Sequence, residues 1–278
     1  MGVCKDLIRI PFTKALSLDE ARYLEEIAAG LDRQLALAAE IISSDEFAQL
    51  QGSNQMQIDA FFRNSGIRDQ YDQLINYNAN SSEDLINEFY RIGAGLGFAE
   101  IGRTLAFTRA DREALYNVTQ YNFDLIRKLN NSLREQIREV IFDAVASGEG
   151  YQVTARKLRE LPLEPIGNVS VRTRAEMIAR TEHARARNTG TLQAYADYGV
   201  TQVEIITAGD SIVCNYCLDL EADNPYTLQE AMKFLPAHPN CRCAYGAIAD
   251  TVQDGVVDNP VVVDLTMNYT TENLKALI

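Results

Sequence analysis

The sequence predicts a mainly α protein, with a helical N-terminal half followed by a small α+β domain. Three observations carry this. Apolar residues recur at spacings of three and four through most of the first two hundred positions. After Gly199 the pattern changes to short β-branched runs. Four of the five cysteines (Cys214, Cys217, Cys241 and Cys243) fall among those runs.

Ser17 followed by Glu20 fits a capping box, in which hydroxyl and carboxylate each satisfy one orphan amide at a helix start. Behind it Leu24, Ala28, Leu31, Leu35, Ala38 and Ile42 form an apolar stripe, with Glu25, Asp32, Arg33 and Glu40 on the other side. Polar stretches at 51–57 and 76–82 read as loops around a shorter helical piece carrying Ile58, Phe61, Phe62 and Ile67. The next helix is expected to start near Glu83 and to run into Gly93-Ala94-Gly95-Leu96-Gly97. No strand precedes those glycines and their spacing is wrong for a dinucleotide loop, so they read as close helix packing or a bend.

From Asp111 to about Ser147 the chain keeps one long helical period through Leu115, Val118, Leu125, Leu129, Leu133, Ile137, Val140 and Ala144, stopped by Gly148 and Gly150. A short helix spans Val153 to Leu161 and ends at Pro162; Pro165 and Gly167 form a linker. Thr173 and Glu176 suggest a second capping box, opening a helix to about Tyr198 with Gly199 just past its end. Val203, Ile205 and Ile206 look like a strand entering Thr207-Ala208-Gly209, and Ala244 to Ile248 like another. Pro260-Val261-Val262-Val263 is strand-like, and a final amphipathic turn or two closes the chain.

The formal net charge is −13, and it is uneven. Basic and acidic residues number 13 and 19 over 1–130, 10 and 9 over 131–200, and 3 and 11 over 201–278. Such an acidic balance argues against a simple DNA scaffold, because phosphate is repelled. If a phosphate-bearing partner docks, the arginine-rich middle is the place; the plainer reading is a solvated, mixed-charge surface. No apolar run approaches the length of a membrane-spanning helix, and the N-terminus lacks a signal-peptide pattern, so synthesis in the cytoplasm and no membrane partner are expected.

Chemistry concentrates in one place. Cys214-x2-Cys217 is followed, after a gap of about twenty residues, by His238-Pro239-Asn240-Cys241-Arg242-Cys243, which holds one of only two histidines. Zinc takes four ligands at tetrahedral corners. Two thiolates separated by two residues reach one ion from a tight turn, and His238 with Cys241 or Cys243 can complete the set. On a strand, Cys241 and Cys243 would share a face. This gives a zinc-knuckle-like β-hairpin with structural zinc as its cofactor. Disulfides, free thiols and a catalytic metal are the alternatives. A redox pair would want its Cys-x-x-Cys at a helix start, whereas here it follows Gly209-Asp210 in an expected loop. Cys4, alone near the N-terminus, reads as a buried or idle thiol.

The run Met177-Ile178-Ala179-Arg180-Thr181-Glu182, then Asn188 and Gly190, Ala208-Gly209-Asp210, Cys214-x2-Cys217 and the HPNCRC ending resembles the head morphogenesis domain of MuF-type phage minor head proteins. The resemblance covers about 110–250. It divides the chain into a helical region (1–110), a head-morphogenesis-like domain (111–250) and an acidic C-terminal tail (251–278).

It implies a minor structural protein of a tailed-phage head. Such a protein is associated with portal or capsid proteins, touches packaged DNA in one version, resides in the virion, and assists head assembly or genome packaging and delivery. No catalytic residue is expected. Arg180, Arg185 and Arg187 are candidates for partner or DNA contact, with a buried ion pair as the plainer reading. Arg180 and Arg187 share a helix face and could pair with Glu176 or Asp210. Glu182 and Asp210 are read as polar residues that organise the domain. Two other functions compete: an enzyme of transferase or toxin type centred on Arg180–Glu182, and a zinc-dependent nucleic-acid module. The acidic region 201–278 and the scarcity of cations near the knuckle (Lys233 and Arg242) argue against the second.

Overall fold

The protein is described from a computed structural model covering residues 17–50, 53, 55–64, 66–104, 106–147, 149, 151–159, 171–248, 252 and 254–266. Cys4, the side chain of Thr173, the Pro162–Gly167 linker and the final amphipathic turns lie outside the described residues. In chain order the helices are α1 (Leu18–Ile42), α2 (Asp45–Ala48), α3 (Gln55–Asn64), α4 (Ile67–Glu100), α5 (Arg109–Ser147), α6 (Tyr151–Arg159) and α7 (Val171–Asp197). Then follow β1 (Gln202–Ile206), α8 (Asn215–Ala222), β2 (Tyr226–Thr227), α9 (Leu228–Ala231) and β3 (Ala244–Ala247). The three strands form one antiparallel sheet in the order β2-β1-β3. The mainly α class with a small α+β part is therefore what the structure shows, with a three-stranded sheet in place of a two-stranded hairpin.

The chain falls into two compact units. Among the described residues, a mixed unit comprises 17–24, 83–122 and 176–266, and a helical unit comprises 25–82 and 123–175. Each is taken separately.

In the helical unit, the expected loop at 76–82 is corrected: these residues lie inside α4, which is one helix from Ile67 rather than a new one from Glu83. Their polarity serves the interior. Asn78 and Ser82 are fully buried. Asn78 Nδ2 donates to the Glu26 carbonyl at 2.9 Å, and Asn130 Nδ2 donates to Asn78 Oδ1 at 2.9 Å. Gln34 Nε2 donates to Asn130 Oδ1 at 2.5 Å. The chain of amides links α1, α4 and α5 at one register, because a shift of either partner would strand a buried donor or acceptor. The buried face of α1 sits about one position earlier than the expected stripe. Tyr23, Ile27, Gly30 and Gln34 are buried with Leu24, Leu31, Ala38 and Ile42, while Ala28 and Leu35 are partly exposed. The loop expected over 51–57 ends sooner, since α3 already begins at Gln55.

In the mixed unit the Ser17–Glu20 capping box is present: Glu20 Oε2 accepts from the Ser17 amide at 2.7 Å and Ser17 Oγ from the Glu20 amide at 3.2 Å. Thr108 and Asp111 make the same reciprocal pair at the start of α5. The glycines of α4 are packing devices. A Cβ on Gly93 would lie 2.0 Å from the Arg187 carbonyl oxygen, and one on Gly190 would lie 2.2 Å from that of Tyr90, so α4 and α7 touch backbone to backbone. α7 begins at Val171, ahead of the expected cap at Thr173, and Gly199 follows its end with φ +66°. Pro260–Val263 is not a strand. Gln193 of α7 holds it in extended form instead, accepting from the Val263 amide at 2.9 Å and donating to the Val261 carbonyl at 3.1 Å.

Asp111 and Asp197 are both fully buried and their carboxyl groups hydrogen-bond, which requires one shared proton. Burial, reinforced by Asp111, pushes Asp197 up to about 7.

Two outcomes follow for stability. Asn130→Ala removes a donor and an acceptor from the amide chain and should cost about 2–4 kcal/mol in urea unfolding, from roughly 1–3 kcal/mol per stranded buried group. Asp197 binds its proton more tightly folded than unfolded, so its contribution is complete below the ordinary value of 3.8 and is lost as pH rises toward about 7. Asp197→Asn should flatten that fall and raise the melting temperature at pH 8 relative to the parent; an unchanged pH profile would show that the pair is not protonated.

Candidate metal centre

β1 leads through Gly209, in the left-handed region at φ +64°, to a turn that ends in α8. Cys214 is the N-cap of that helix: its Sγ accepts from the Cys217 amide at 3.4 Å. The Cys-x-x-Cys pair thus opens a helix, which corrects the loop placement. The second donor group comes from the segment before β3, where Cys241 and Cys243 are buried in extended chain rather than on the strand itself.

The structure gathers all five sequence-predicted donors. His238 Nε2 lies 3.4 Å from Cys214 Sγ and 3.2 Å from Cys217 Sγ. Cys217, Cys241 and Cys243 form a second trio, with every ligand atom within 4.8 Å of the others. Cys217 belongs to both. All four described cysteines are free thiols. His238 Nδ1 lies 2.8 Å from the Pro239 carbonyl, which only accepts, so Nδ1 carries the proton and the Nε2 lone pair faces the thiols.

These residues fit a metal ion. Tetrahedral zinc, with sulfur at about 2.3 Å and nitrogen at about 2.0 Å, would set sulfur and nitrogen roughly 3.6 Å apart, close to the separations seen. A void of about 20 Å³ is bordered by Cys214, Cys217, His238 and Cys243, room for one small ion. The thiols also restrain one another. Hydrogen bonds with Cys241 and Cys243 push Cys217 up, while hydrogen bonds with Cys217 and Cys243 hold Cys241 well below its ordinary value. One thiolate is stabilised at its neighbours' expense, and a cation relieves that competition. The cysteines are part of the apolar core, beside Leu192, Tyr195, Val203, Leu220 and Tyr245.

α7 holds the second donor segment in place. Thr181 Oγ1 accepts from the Asn240 amide at 2.9 Å, and Arg180 Nη1 reaches Asn240 Oδ1 at 3.4 Å. Asn240 adopts φ +64°, a left-handed turn that asparagine tolerates. Asn188 Nδ2 donates to the Cys243 carbonyl at 3.0 Å. Sequence reasoning quoted these residues as motif positions without giving Thr181, Asn188 or Asn240 a role. The signal for Thr181 and Asn188 is chemical: small polar side chains on a helix that is otherwise rich in alanine.

The remaining candidates are placed as follows. Arg180 is buried, with Glu20 Oε1 at 3.7 Å from its Nε and Glu176 near enough to act on its charge. Glu182 and Arg185 are fully buried as an ion pair at 2.9 Å. Arg185 also donates to the Leu265 carbonyl and lies over the Tyr121 ring, 4.7 Å from its centre. Burial pushes the Glu182 carboxyl up and Arg185 opposes it. Arg187 borders a cleft with His183 and Arg242. Burial pulls His183 down, assisted by Arg187 and opposed by Glu20 and Asp19. Asp210 grips Arg242 with both oxygens, at 2.6 and 2.7 Å, steadying the arginine between the two donor cysteines.

Residues 135–245 match the family described as Phage Mu protein F like protein, which bears out the resemblance over that stretch. The match takes in all five candidate donors and the whole of α7. No curated protein and no solved structure matches the chain. Among the described residues, no helix is long and apolar enough to cross a membrane.

Thr181→Val keeps the side-chain shape and strands the Asn240 amide. The expected loss is about 1–3 kcal/mol in urea unfolding, with faster hydrogen exchange at the Asn240 amide. Unaltered exchange there would remove Thr181 as the anchor of the turn.

Proposed function

We propose that this protein is a minor structural protein of a tailed-bacteriophage head, seated at the portal vertex or inner capsid and assisting head assembly or genome packaging and delivery. The match of residues 135–245 to the Phage Mu protein F like family carries the reading. Head morphogenesis is the business of that family, and capsid or portal proteins are the partners it brings. The reading puts the protein in the virion.

The metal in this reading is structural zinc. Cys214, Cys217, His238 and Cys243 would hold it, and the void they border supports Cys243 as the fourth donor. Cys241 would then be a neighbouring thiol that hydrogen-bonds to the ligands. Zinc would tie the start of α8 to the segment entering β3. It would replace part of the apolar core that so small a sheet cannot build alone, because metal binding free energy acts as folding free energy. Glu182 and Asp210 would organise the same domain through their arginine partners. The burial of Glu182 and Arg185 supports structural work for the Arg180–Glu182 segment rather than contact with a substrate. Arg180 and Arg185 are buried as well, which leaves Arg187 the better candidate for partner contact.

The purified protein should contain about one zinc per chain by elemental analysis. Cys214→Ser/Cys217→Ser should lose it, together with hydrogen-exchange protection over 202–247; Cys243→Ser should lose it and Cys241→Ser retain it. A metal-free parent with full protection would overturn the zinc. Mass spectrometry of purified particles should find the chain far below the copy number of the major capsid protein, and its absence from mature and immature particles alike would overturn the assignment.

A further inference from the structure

The helical unit contains a cavity of about 330 Å³ that nothing in the proposed function uses. That volume is at the lower end of pockets that hold ligands, roughly 300–1,000 Å³. Its floor is apolar: Ile67, Tyr71 and Ile137 are all nearly fully buried. Its walls carry four arginines, Arg63, Arg68, Arg134 and Arg138, against one carboxylate, Glu135.

The arginines divide into two kinds. Arg134 is held by Asp72 at 2.8 Å and by Glu135 at 3.6 Å, and Arg138 reaches Glu135 at 3.5 Å. Arg63 and Arg68 have exposed side chains and no carboxylate partner among the described residues. Ile67 and Arg68 are also the first two residues of α4, so the positive end of a long helix adds to the field at the cavity. This excess of positive charge stands in a chain of net charge −13.

We propose that this cavity is a docking site for an acidic, amphipathic segment of a partner protein. Carboxylates of the segment pair with Arg63 and Arg68, and an apolar side chain between them seats on Ile67, Tyr71 and Ile137. Guanidinium forks match carboxylates in bidentate geometry. The floor decides between anions. A duplex phosphate backbone is convex and offers no apolar group to a recessed hydrophobic surface, whereas a peptide carrying glutamate beside leucine or phenylalanine offers both. The site is separate from the metal centre in its residues and in its chemistry, so it stands without the zinc.

The test uses the full-length protein and a fluorescein-labelled twelve-residue peptide of alternating glutamate pairs and leucine or phenylalanine, followed by fluorescence anisotropy. The comparison probes are the same peptide with lysine for glutamate and a labelled duplex DNA of similar length. The glutamate peptide should bind, more weakly as salt rises. Arg63→Gln/Arg68→Gln should weaken it by tenfold or more with the circular dichroism spectrum unchanged. Arg109→Gln/Arg112→Gln changes the net charge equally at exposed positions of the mixed unit and should leave binding intact. Equal loss in both double variants would reduce the effect to bulk charge and overturn the site. Tighter binding of DNA that is lost with Arg63 and Arg68 would make the ligand a nucleic acid and overturn the proposal. No binding of the glutamate peptide would do the same.

Discussion

A helix surrounded by protein must satisfy every polar side chain it carries internally, and α7 is such a helix. From Ala175 to Val200 nearly every residue is buried, although the stretch contains Arg180, Glu182, His183, Arg185, Asn188, Gln193 and Asp197. Burying those groups unpaired would cost several kilocalories per mole each. Most are instead spent on a neighbour; His183 Nε2 makes no hydrogen bond among the described residues and lies 3.8 Å from Asp19. Arg180, Thr181 and Asn188 hold the turn that bears His238, Cys241 and Cys243. Arg185 and Gln193 hold the extended chain near Leu265 and Val263. Gly190 brings α4 into backbone contact. The motif positions Arg180-Thr181 and Asn188 therefore have a mechanical link to HPNCRC, whose turn they hold.

The donor cluster depends on this arrangement. The two cysteines at the start of α8 are positioned by local helix capping. The His238–Cys243 segment has little regular structure of its own and needs outside support. Thr181 and Asn188 supply it from α7, and Asp210 supplies it through Arg242. In the zinc reading, an ion held by these donors would secure an apolar cluster that includes the cysteines themselves.

What was legible in the sequence follows the same division. Features set by local chemistry were readable: the Ser17–Glu20 box, the long period of α5, Gly199 at a helix end, and the Cys and His spacing. Features in which polarity faces inward were misread. Residues 76–82 look like a loop because Asn and Ser usually face water, yet Asn78 joins a network reaching Gln34, ninety-six positions before its partner Asn130, and Ser82 is buried bonding the Ala79 carbonyl. Pro260–Val263 looks like a strand because β-branched residues favour extended chain, and it is extended, but its hydrogen bonds go to the side chain of Gln193. Pairings this remote in sequence leave no periodic trace. One clue was present in α7: Ala175, Ala179, Ala186, Ala194 and Gly190 are small enough for close approach on several faces at once, which a solvent-facing arginine helix would not require.

The same distinction sets where the chain can act electrostatically. The balanced middle segment, 131–200, seemed the place for an anionic partner, but its arginines have different fates. Those of α7 at 180 and 185 are consumed by Glu20, Glu182 and the Leu265 carbonyl. Arg134 and Arg138 belong to the helical unit, where they join Arg63 and Arg68 around an apolar floor. Counting charges along the sequence assigns both pairs the same meaning; burial separates them. A cation already matched to a buried carboxylate has no field to offer a partner, and an exposed cation over hydrophobic surface offers both attraction and contact area. Arg63 and Arg68 present that combination in the helical unit, while Arg180 and Arg185 of α7 hold the mixed unit together.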